Sequence, residues 1–174
     1  MNNNLDKLLA KIKHEADAMD RIYARRDDLR YRSIQALVLD YGKPFRDRIL
    51  PSPFRGESGL CYQNCFERLL LHGDYHYCEG YAIDDYLNLA IAHAWLVNDM
   101  GEVIDPTWRD DSTGATYFGV VFDGEYVLKM GENNERYGIF ENDYMNVRKL
   151  MMEGLPPHAL HSKFHHSVIA GNER

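Results

Sequence analysis

The sequence contains three cysteines, which raise the possibility of thiol chemistry. Cys61, Cys65 and Cys78 are an odd number of thiols, so they cannot form a closed set of disulfides. At least one thiol therefore stays free, as is usual for proteins in a reducing compartment. A thiol held as thiolate is a strong nucleophile toward a carbonyl carbon. We therefore ask which cysteine occupies a position that stabilises a negative charge.

Cys61 lies where the sequence predicts the start of a helix. The pattern of residues 60–71 is helical, and Ser58 is a candidate N-cap. In the first helical turn, free backbone N–H groups and the helix dipole stabilise a thiolate. Cys65 falls one turn deeper and Cys78 lies within an expected strand, so we interpret both as buried packing residues. Cys61 is the predicted nucleophile.

A thiolate site also needs an imidazole that moves protons and a third group that orients the imidazole. His93 and Asp105 fit these two roles. They lie on two expected strands, residues 92–98 and 102–105. Gly101 occupies the third position of the three-residue loop between these strands, where a left-handed backbone is favoured.

This loop length determines whether His93 and Asp105 can meet. A three-residue loop pairs Trp95 with Asp105, so that His93 lies on the same face of the sheet, diagonal to Asp105 and within reach of it. Pro106 favours an extended backbone at Asp105 and so keeps it in the strand. A two-residue loop would put Asp105 on the opposite face. The predicted pair therefore depends on this register.

An acyl-transfer site must also stabilise an oxyanion. The backbone N–H of Cys61 is the first candidate donor. Further candidates for binding the oxyanion or the substrate are the side chains of Tyr62, Gln63, Asn64 and Trp95. The sequence does not choose among them. Trp95 and Trp108 are also typical of strand aromatics that pack in a core near a site.

Each member of the predicted triad also has a simpler explanation when it is taken alone. His93 could be a hydrogen-bonded core histidine, Asp105 could cap the turn at Pro106, and Cys61 could be a small buried apolar residue. Their occurrence together, on elements in this order, favours a catalytic site.

The rest of the chain predicts helices around an antiparallel sheet, which is an α+β fold. We expect a single domain over residues 1–174, with an N-terminal helical segment (1–45), a catalytic core (55–130) and a C-terminal helix and tail (141–174). The expected elements are a long amphipathic helix from Asn4 to Tyr23, a second helix from Leu29 that ends before Gly42, a strand at 75–83, a hairpin of 117–122 and 126–128, and a last helix at 141–152. The N-terminal helices could pack on the body of the protein or pair two subunits as a homodimer.

Charge and composition exclude some partners. The net charge is -7, and no run of lysine and arginine marks a phosphate-binding face, so we do not expect a nucleic-acid partner. The N-terminus shows no basic segment followed by an apolar run, and no stretch approaches the length of a membrane span. We therefore expect a cytoplasmic protein without a membrane partner.

Several histidines near the C-terminus suggest a metal site at first sight. His158, His161, His165 and His166 follow a proline break and lack a cysteine partner at ligand spacing. We interpret them as part of a flexible or docked tail. We predict neither a bound metal nor a cofactor.

Several short motifs resemble the papain-like superfamily in its Cys, His, Asp order, especially transglutaminase-like and related small bacterial and phage proteins. Residues 59–64 resemble the helix that carries the nucleophile, 93–95 the histidine strand and 105–108 the acid strand, and segments 79–82 and 117–120 also belong to the resemblance. The resemblance covers roughly the span from Gly59 to Val121. It implies an antiparallel sheet with the cysteine helix packed against it. The chain lacks a recognisable upstream glutamine or tryptophan for the oxyanion site.

The resemblance implies thiol chemistry on an amide, ester or thioester carbonyl of a protein, a peptide or a small molecule. Peptidases, amidases, deamidases and acyltransferases share this fold and triad, so the acyl acceptor stays open. A non-enzymatic phage or bacterial binding protein that keeps the fold is the alternative. Intact Cys61, His93 and Asp105 argue against that alternative, because a degenerate relative would be expected to lose at least one of them.

Overall fold

A computed structural model describes residues 4–71 and 73–165 of the chain. The strands are β1 (Lys43–Phe45), β2 (His76–Ile83), β3 (Ile91–Val97), β4 (Val103–Ile104) and β5 (Thr116–Val121). The α-helices are α1 (Asn4–Ile22), α2 (Ile34–Tyr41), α3 (Cys61–Leu71), α4 (Gly124–Asn134) and α5 (Lys149–Glu153), with 3-10 turns at Asp143–Asn146 and Pro157–Ala159. All pairings between these strands are antiparallel, in the order β1-β5-β2-β3-β4. The fold is mixed α+β.

The long N-terminal helix packs on the body of its own chain. Leu8, Ile12 and Ala16 recur at a spacing of one helical turn and are buried. They lie between the sheet and the second helix, since α1 contacts α2, β2 and β5. Burying a side chain such as Leu8 stabilises the fold by roughly 1.5–3 kcal/mol. This apolar face is therefore used within the chain, and a homodimer through the N-terminal helices stays a prediction.

The hairpin of β3 and β4 has the predicted register. Leu96 pairs with Ile104, and the N–H of Asn98 donates to the carbonyl of Glu102 at 3.1 Å. Gly101 has a φ of +81°, the left-handed conformation that the third loop position requires. The three-residue loop is therefore confirmed.

The prediction of a second hairpin, formed by residues 117–122 and 126–128, is wrong. Only its first half is a strand, and α4 begins directly after it. The Asp123 side chain accepts hydrogen bonds from the N–H groups of Glu125 and Tyr126, at 3.0 and 3.2 Å. An aspartate followed by glycine can form a hairpin turn or an N-cap. Here the N-cap is formed, because the next residues bury Val127 against the core as part of a helix.

The prediction of one continuous helix over residues 141–152 is also wrong, because a 3-10 turn and α5 are separated by a non-helical break. Val147 and Arg148 have φ values of +56° and +58°, which no helix interior allows. The Asp143 carboxylate accepts from the N–H groups of Leu150 and Met151, at 2.9 and 3.3 Å. The Asp143 side chain thus accepts from backbone N–H groups in the first turn of α5. It thereby stabilises the interruption of the helix at Val147 and Arg148.

The start of the second expected helix needs a correction as well. The helix α2 begins at Ile34 and not at Leu29, because Ser33 is its N-cap and accepts from the N–H of Ala36 at 3.0 Å. Gly42 is its C-cap, so the predicted end of the helix is confirmed.

The segment after α5 is docked as far as it is described. The N–H of His161 donates to the carbonyl of Val121 at 3.0 Å, and the N–H of Val121 donates to Nε2 of His165 at 2.9 Å. His166 lies outside the described residues. Within the described ranges, no helix is long and apolar enough to cross a membrane.

Candidate active site

Cys61 is the first residue of α3. The prediction that Ser58 is the N-cap is wrong. The first hydrogen bond of this helix runs from the N–H of Asn64 to the carbonyl of Leu60, at 2.9 Å, so Leu60 holds the N-cap position. The φ of +81° at Gly59 turns the chain into the helix. The N–H group of Cys61 precedes that first hydrogen bond, at the positive end of the helix dipole. Cys61 as a residue is 8% exposed, so it is largely shielded from solvent.

The structure brings Cys61, His93 and Asp105 together. Nε2 of His93 lies 2.9 Å from Oδ2 of Asp105, and the side chains are 3% and 0% exposed. The Cys61 side chain is close enough to the His93 ring to contribute to the raised pKa of His93. Because Nε2 is engaged by Asp105, Nδ1 is the ring nitrogen that remains for the thiol.

Asp105 is held by four donors. Its Oδ1 accepts from the N–H groups of Thr107 and Trp108, both at 2.9 Å. Its Oδ2 accepts from the Tyr117 hydroxyl at 2.9 Å in addition to contacting His93. Burial alone would raise the pKa of Asp105, but the His93 charge and these hydrogen bonds lower it well below its ordinary value. Asp105 is therefore an anion with a fixed orientation.

The pKa of His93 is raised. Burial acts to lower it, but the Asp105 charge and the hydrogen bonds to Asp105 and Cys61 outweigh burial and raise the pKa to about 9. The raised pKa favours the cationic form of His93, which lies between the Asp105 carboxylate and the Cys61 thiol.

Aromatic rings enclose the His93 imidazole. The ring centroid of Trp108 lies 4.9 Å from that of His93, and Trp95 stacks on it at 6.4 Å with an interplanar angle of 16°. Trp95 is completely buried, which makes it a packing residue and argues against a direct contact with substrate. Trp108 is only half-buried and borders a cavity, so it can meet a substrate.

The Asn64 amide is occupied by structural hydrogen bonds, which argues against an oxyanion role. Its nitrogen donates to the carbonyl of Glu57 at 2.8 Å and to Oγ1 of Thr107 at 2.9 Å, and its oxygen accepts from the N–H of Glu57 at 3.1 Å. Gly56 lets the chain approach this amide, since a Cβ there would lie 2.1 Å from Cγ of Asn64. Asn64 therefore connects the helix of Cys61 to the turn that binds Asp105.

The other two candidates on α3 for binding the oxyanion or the substrate, Gln63 and Tyr62, have different surroundings. The Gln63 amide donates to the Glu67 carboxylate at 2.7 Å on the exposed side of α3. Tyr62 borders a cavity of about 390 Å³. The backbone N–H of Cys61 stays the first candidate for the oxyanion.

Cys65 and Cys78 are completely buried. Burial raises the pKa of each thiol well above its ordinary value. Both are therefore poor nucleophiles.

Two residues of the site, Tyr117 and Thr107, were not predicted from the sequence. The sequence placed Tyr117 in a strand and in the 117–120 motif, and Thr107 in the 105–108 motif, but gave neither residue a role at the site. Strand alternation offered a signal for Tyr117, because it puts Tyr117 and Gly119 on one face and Phe118 on the other. Which residue that face would meet depends on strand order, which a single sequence does not reveal.

The described residues contain no group of three or more histidine, cysteine, aspartate or glutamate side chains that could hold a metal ion. Searches against family models, curated proteins and solved structures found no significant match for this chain.

Proposed function

We propose that this protein is a thiol-dependent acyl-transfer enzyme of papain-like or transglutaminase-like type, with Cys61 as nucleophile, His93 as general acid and base, and Asp105 as orienting group. The observation that supports this proposal is the continuous chain of contacts from the Cys61 thiol through His93 to Asp105, with the imidazolium form favoured. In this proposal the enzyme works in the cytoplasm, where its three thiols stay reduced.

The first half-reaction forms an acyl-enzyme. The Cys61 thiolate attacks the carbonyl carbon of an amide, ester or thioester, and the carbonyl π electrons move onto oxygen. The backbone N–H of Cys61 donates to this oxyanion. When the tetrahedral intermediate collapses, the bond to the leaving group breaks and the leaving group takes a proton from His93.

The second half-reaction releases the acyl group. Water or an amine attacks the thioester carbon while neutral His93 accepts its proton, and collapse of the intermediate expels the Cys61 thiolate. Water gives hydrolysis of a peptide or amide, or deamidation of a side-chain amide. An amine gives acyl transfer. Asp105 keeps His93 in the productive tautomer in both halves.

An activated ester tests the chemistry without knowledge of the natural substrate. Incubation with 4-nitrophenyl acetate should release 4-nitrophenolate in a burst and leave one acetyl group on Cys61, which peptide mass spectrometry can locate. Cys61→Ser should lose the burst, and His93→Ala should slow it. Cys78→Ser is the control and should keep the burst. Absence of the adduct on Cys61, or an adduct on all three cysteines at equal rates, would favour the non-enzymatic binding protein.

A further inference from the structure

A cavity of about 390 Å³ lies on the face of the sheet opposite to the His93 side chain. Glu79 and Tyr81 of β2 and Ala92 of β3 contribute to its wall, and Tyr81 pairs with Ala92. Successive residues of a strand point to opposite faces, so His93, which follows Ala92, points away from this cavity. None of the three proposed catalytic residues is among the residues that line it. The cavity is therefore separate from the thiol site.

Aromatic side chains from several elements surround this cavity. Five of its lining residues carry aromatic rings: Tyr23, Tyr62, Tyr81, Phe140 and Tyr144. They belong to the end of the first helix, to α3, to β2 and to the segment between α4 and α5. The face of an aromatic ring carries partial negative charge and attracts cations, most strongly where water is excluded. Rings that converge from separate elements can contact one cation from several sides.

A buried carboxylate also lines the cavity. Glu79 is 1% exposed and accepts from the N–H groups of Ile139 and Phe140, at 2.5 and 2.9 Å, and from the Tyr77 hydroxyl at 2.7 Å. All three donors are neutral, and burial raises the pKa of Glu79 to about 7. When it is ionised, Glu79 is thus a buried anion held by dipoles alone. A cation in the cavity would supply the opposite charge that these donors lack.

The other charges of the cavity also favour a cation. Asp143 and Glu141 line it together with Glu79, and Arg148 is the one basic side chain among its described lining residues. The guanidinium carbon of Arg148 lies 5.5 Å from the centroid of the Tyr23 ring. A cation of the protein itself therefore already packs on one ring of this cavity. Three carboxylates against one guanidinium still leave an excess of negative charge.

We propose that this cavity is a second binding site, which takes an organic cation with an alkylammonium head group. The aromatic rings would surround the head group, and Glu79 would balance its charge. The volume is in the range of small-molecule sites, so there is room for a chain attached to the head group. A free small molecule and a methylated lysine side chain present the same head group. The proposal does not depend on acyl transfer at Cys61.

Three probes of similar shape and different charge test the proposal directly. They are tetramethylammonium, neutral tert-butanol and anionic trimethylacetate. Binding is measured by NMR titration at constant ionic strength and at about pH 8, above the pKa of Glu79. We expect tetramethylammonium to bind at least about tenfold more tightly than tert-butanol, because only the cation gains from the rings and the carboxylates. Trimethylacetate should bind more weakly than either.

Substitutions of exposed tyrosines locate the binding site. Tyr144 is 60% exposed, so its replacement should leave the fold intact. Tyr144→Leu keeps an apolar side chain but removes the ring, and should weaken tetramethylammonium binding several-fold, whereas Tyr144→Phe should keep the affinity. The matched control is Tyr86→Leu, because Tyr86 is 90% exposed and lines a different cavity, of about 500 Å³. Its affinity should equal that of the wild type.

Removal of the internal cation should have the opposite effect. Arg148→Gln takes a positive charge away from the cavity and releases the face of the Tyr23 ring. We expect it to strengthen tetramethylammonium binding several-fold and to leave tert-butanol binding nearly unchanged. A variant that had partly unfolded would instead lose affinity for the cation, so this gain cannot arise from damage to the fold.

Two larger probes distinguish the sources of the head group. Choline represents a free small molecule, and Nα-acetyl-Nε-trimethyllysine amide represents a modified side chain of a peptide; the tighter binder identifies the source. Equal affinity for tetramethylammonium and tert-butanol would overturn the proposal. Loss of cation binding in Tyr86→Leu with full binding in Tyr144→Leu, or weaker cation binding in a folded Arg148→Gln variant, would also overturn it.

Discussion

The hydroxyl of Tyr117 donates a hydrogen bond to Oδ2 of Asp105 at 2.9 Å, the same oxygen that contacts Nε2 of His93. Both partners are completely buried. Tyr117 lies on β5, which is separated from the strand of His93 by β2. The orientation of the acid is thus determined from two directions, by the turn at Thr107 and Trp108 and by a side chain from across the sheet.

Tyr117→Phe should reduce the rate of Cys61 acylation. The phenyl ring fills nearly the same volume, but Asp105 loses one donor and orients His93 less strictly. We expect a several-fold fall in kcat/KM and a loss of roughly 1 kcal/mol in the free energy of unfolding. Stopped-flow acylation and thermal melting measure the two effects.

Tyr126→Phe is the matched control for this substitution, because Tyr126 packs on Phe122 away from Asp105. It should leave the acylation rate unchanged. An equal fall in both variants would mean that the Tyr117 hydroxyl has no special influence on His93.

Limiting iodoacetamide at about pH 6 should modify Cys61 before Cys65 or Cys78. Cys61 lies at the start of α3 beside the His93 ring, whereas burial raises the pKa of the other two thiols. Peptide mass spectrometry reads the site of modification. Preferential labelling of Cys65 would show that Cys61 is not the activated thiol.

Stability should fall as the pH rises from about 7 to about 9.5. The pKa of His93 is raised to about 9 in the folded state, against an ordinary value near 6.5. A raised folded-state pKa contributes stability that is complete below the unfolded-state pKa and is lost as the pH rises through the folded-state value. Thermal melting across this range should show the decrease.

His93→Gln removes this titration and serves as the control for the pH dependence. The pKa of Glu79 is raised by burial to about 7, so its contribution is lost between about pH 4.5 and 7 and does not overlap the main part of the window. An identical decrease above pH 7 in wild type and in His93→Gln would contradict the proposed origin.

Asn64→Ala should impair acylation more than Gln63→Ala, although the two residues are neighbours on α3. Loss of the Asn64 amide releases Glu57 and Thr107, so the helix of Cys61 is no longer fixed to the turn that binds Asp105. We expect a cost of about 1–2 kcal/mol in the free energy of unfolding, because the buried Asn64 side chain loses three part-buried hydrogen bonds. Gln63 bonds only at the surface, where a loss of this kind is small.

Acylation rates and melting curves of the two variants distinguish their roles. A large rate loss in Gln63→Ala without a change in melting temperature would instead assign the oxyanion contact to the Gln63 side chain.

The sequence by itself was sufficient for the predictions that depend on local rules. The helix of Cys61, the strand of His93 and the short strand that ends at Ile104 follow from short-range patterns. The expected position of Asp105 inside that strand is wrong, because Asp105 lies directly after it, where its side chain accepts from the turn at Thr107 and Trp108. Gly101 selected the loop that fixes the register of these two strands, because only a few backbone conformations close a three-residue hairpin. Where one local signal had two solutions, as at Asp123, the sequence led to the wrong element, since burial of the following residues decides between a hairpin and an N-cap.

Tertiary structure alone decided which distant groups complete the site. Tyr117 reaches Asp105, Asn64 reaches Thr107, and Glu79 holds Phe140 across separations of 12, 43 and 61 residues. Such contacts depend on strand order and on the packing of loops against the sheet. A hydrogen bond between remote residues leaves no periodic pattern in the chain, because its geometry exists only after the hydrophobic core has positioned both partners.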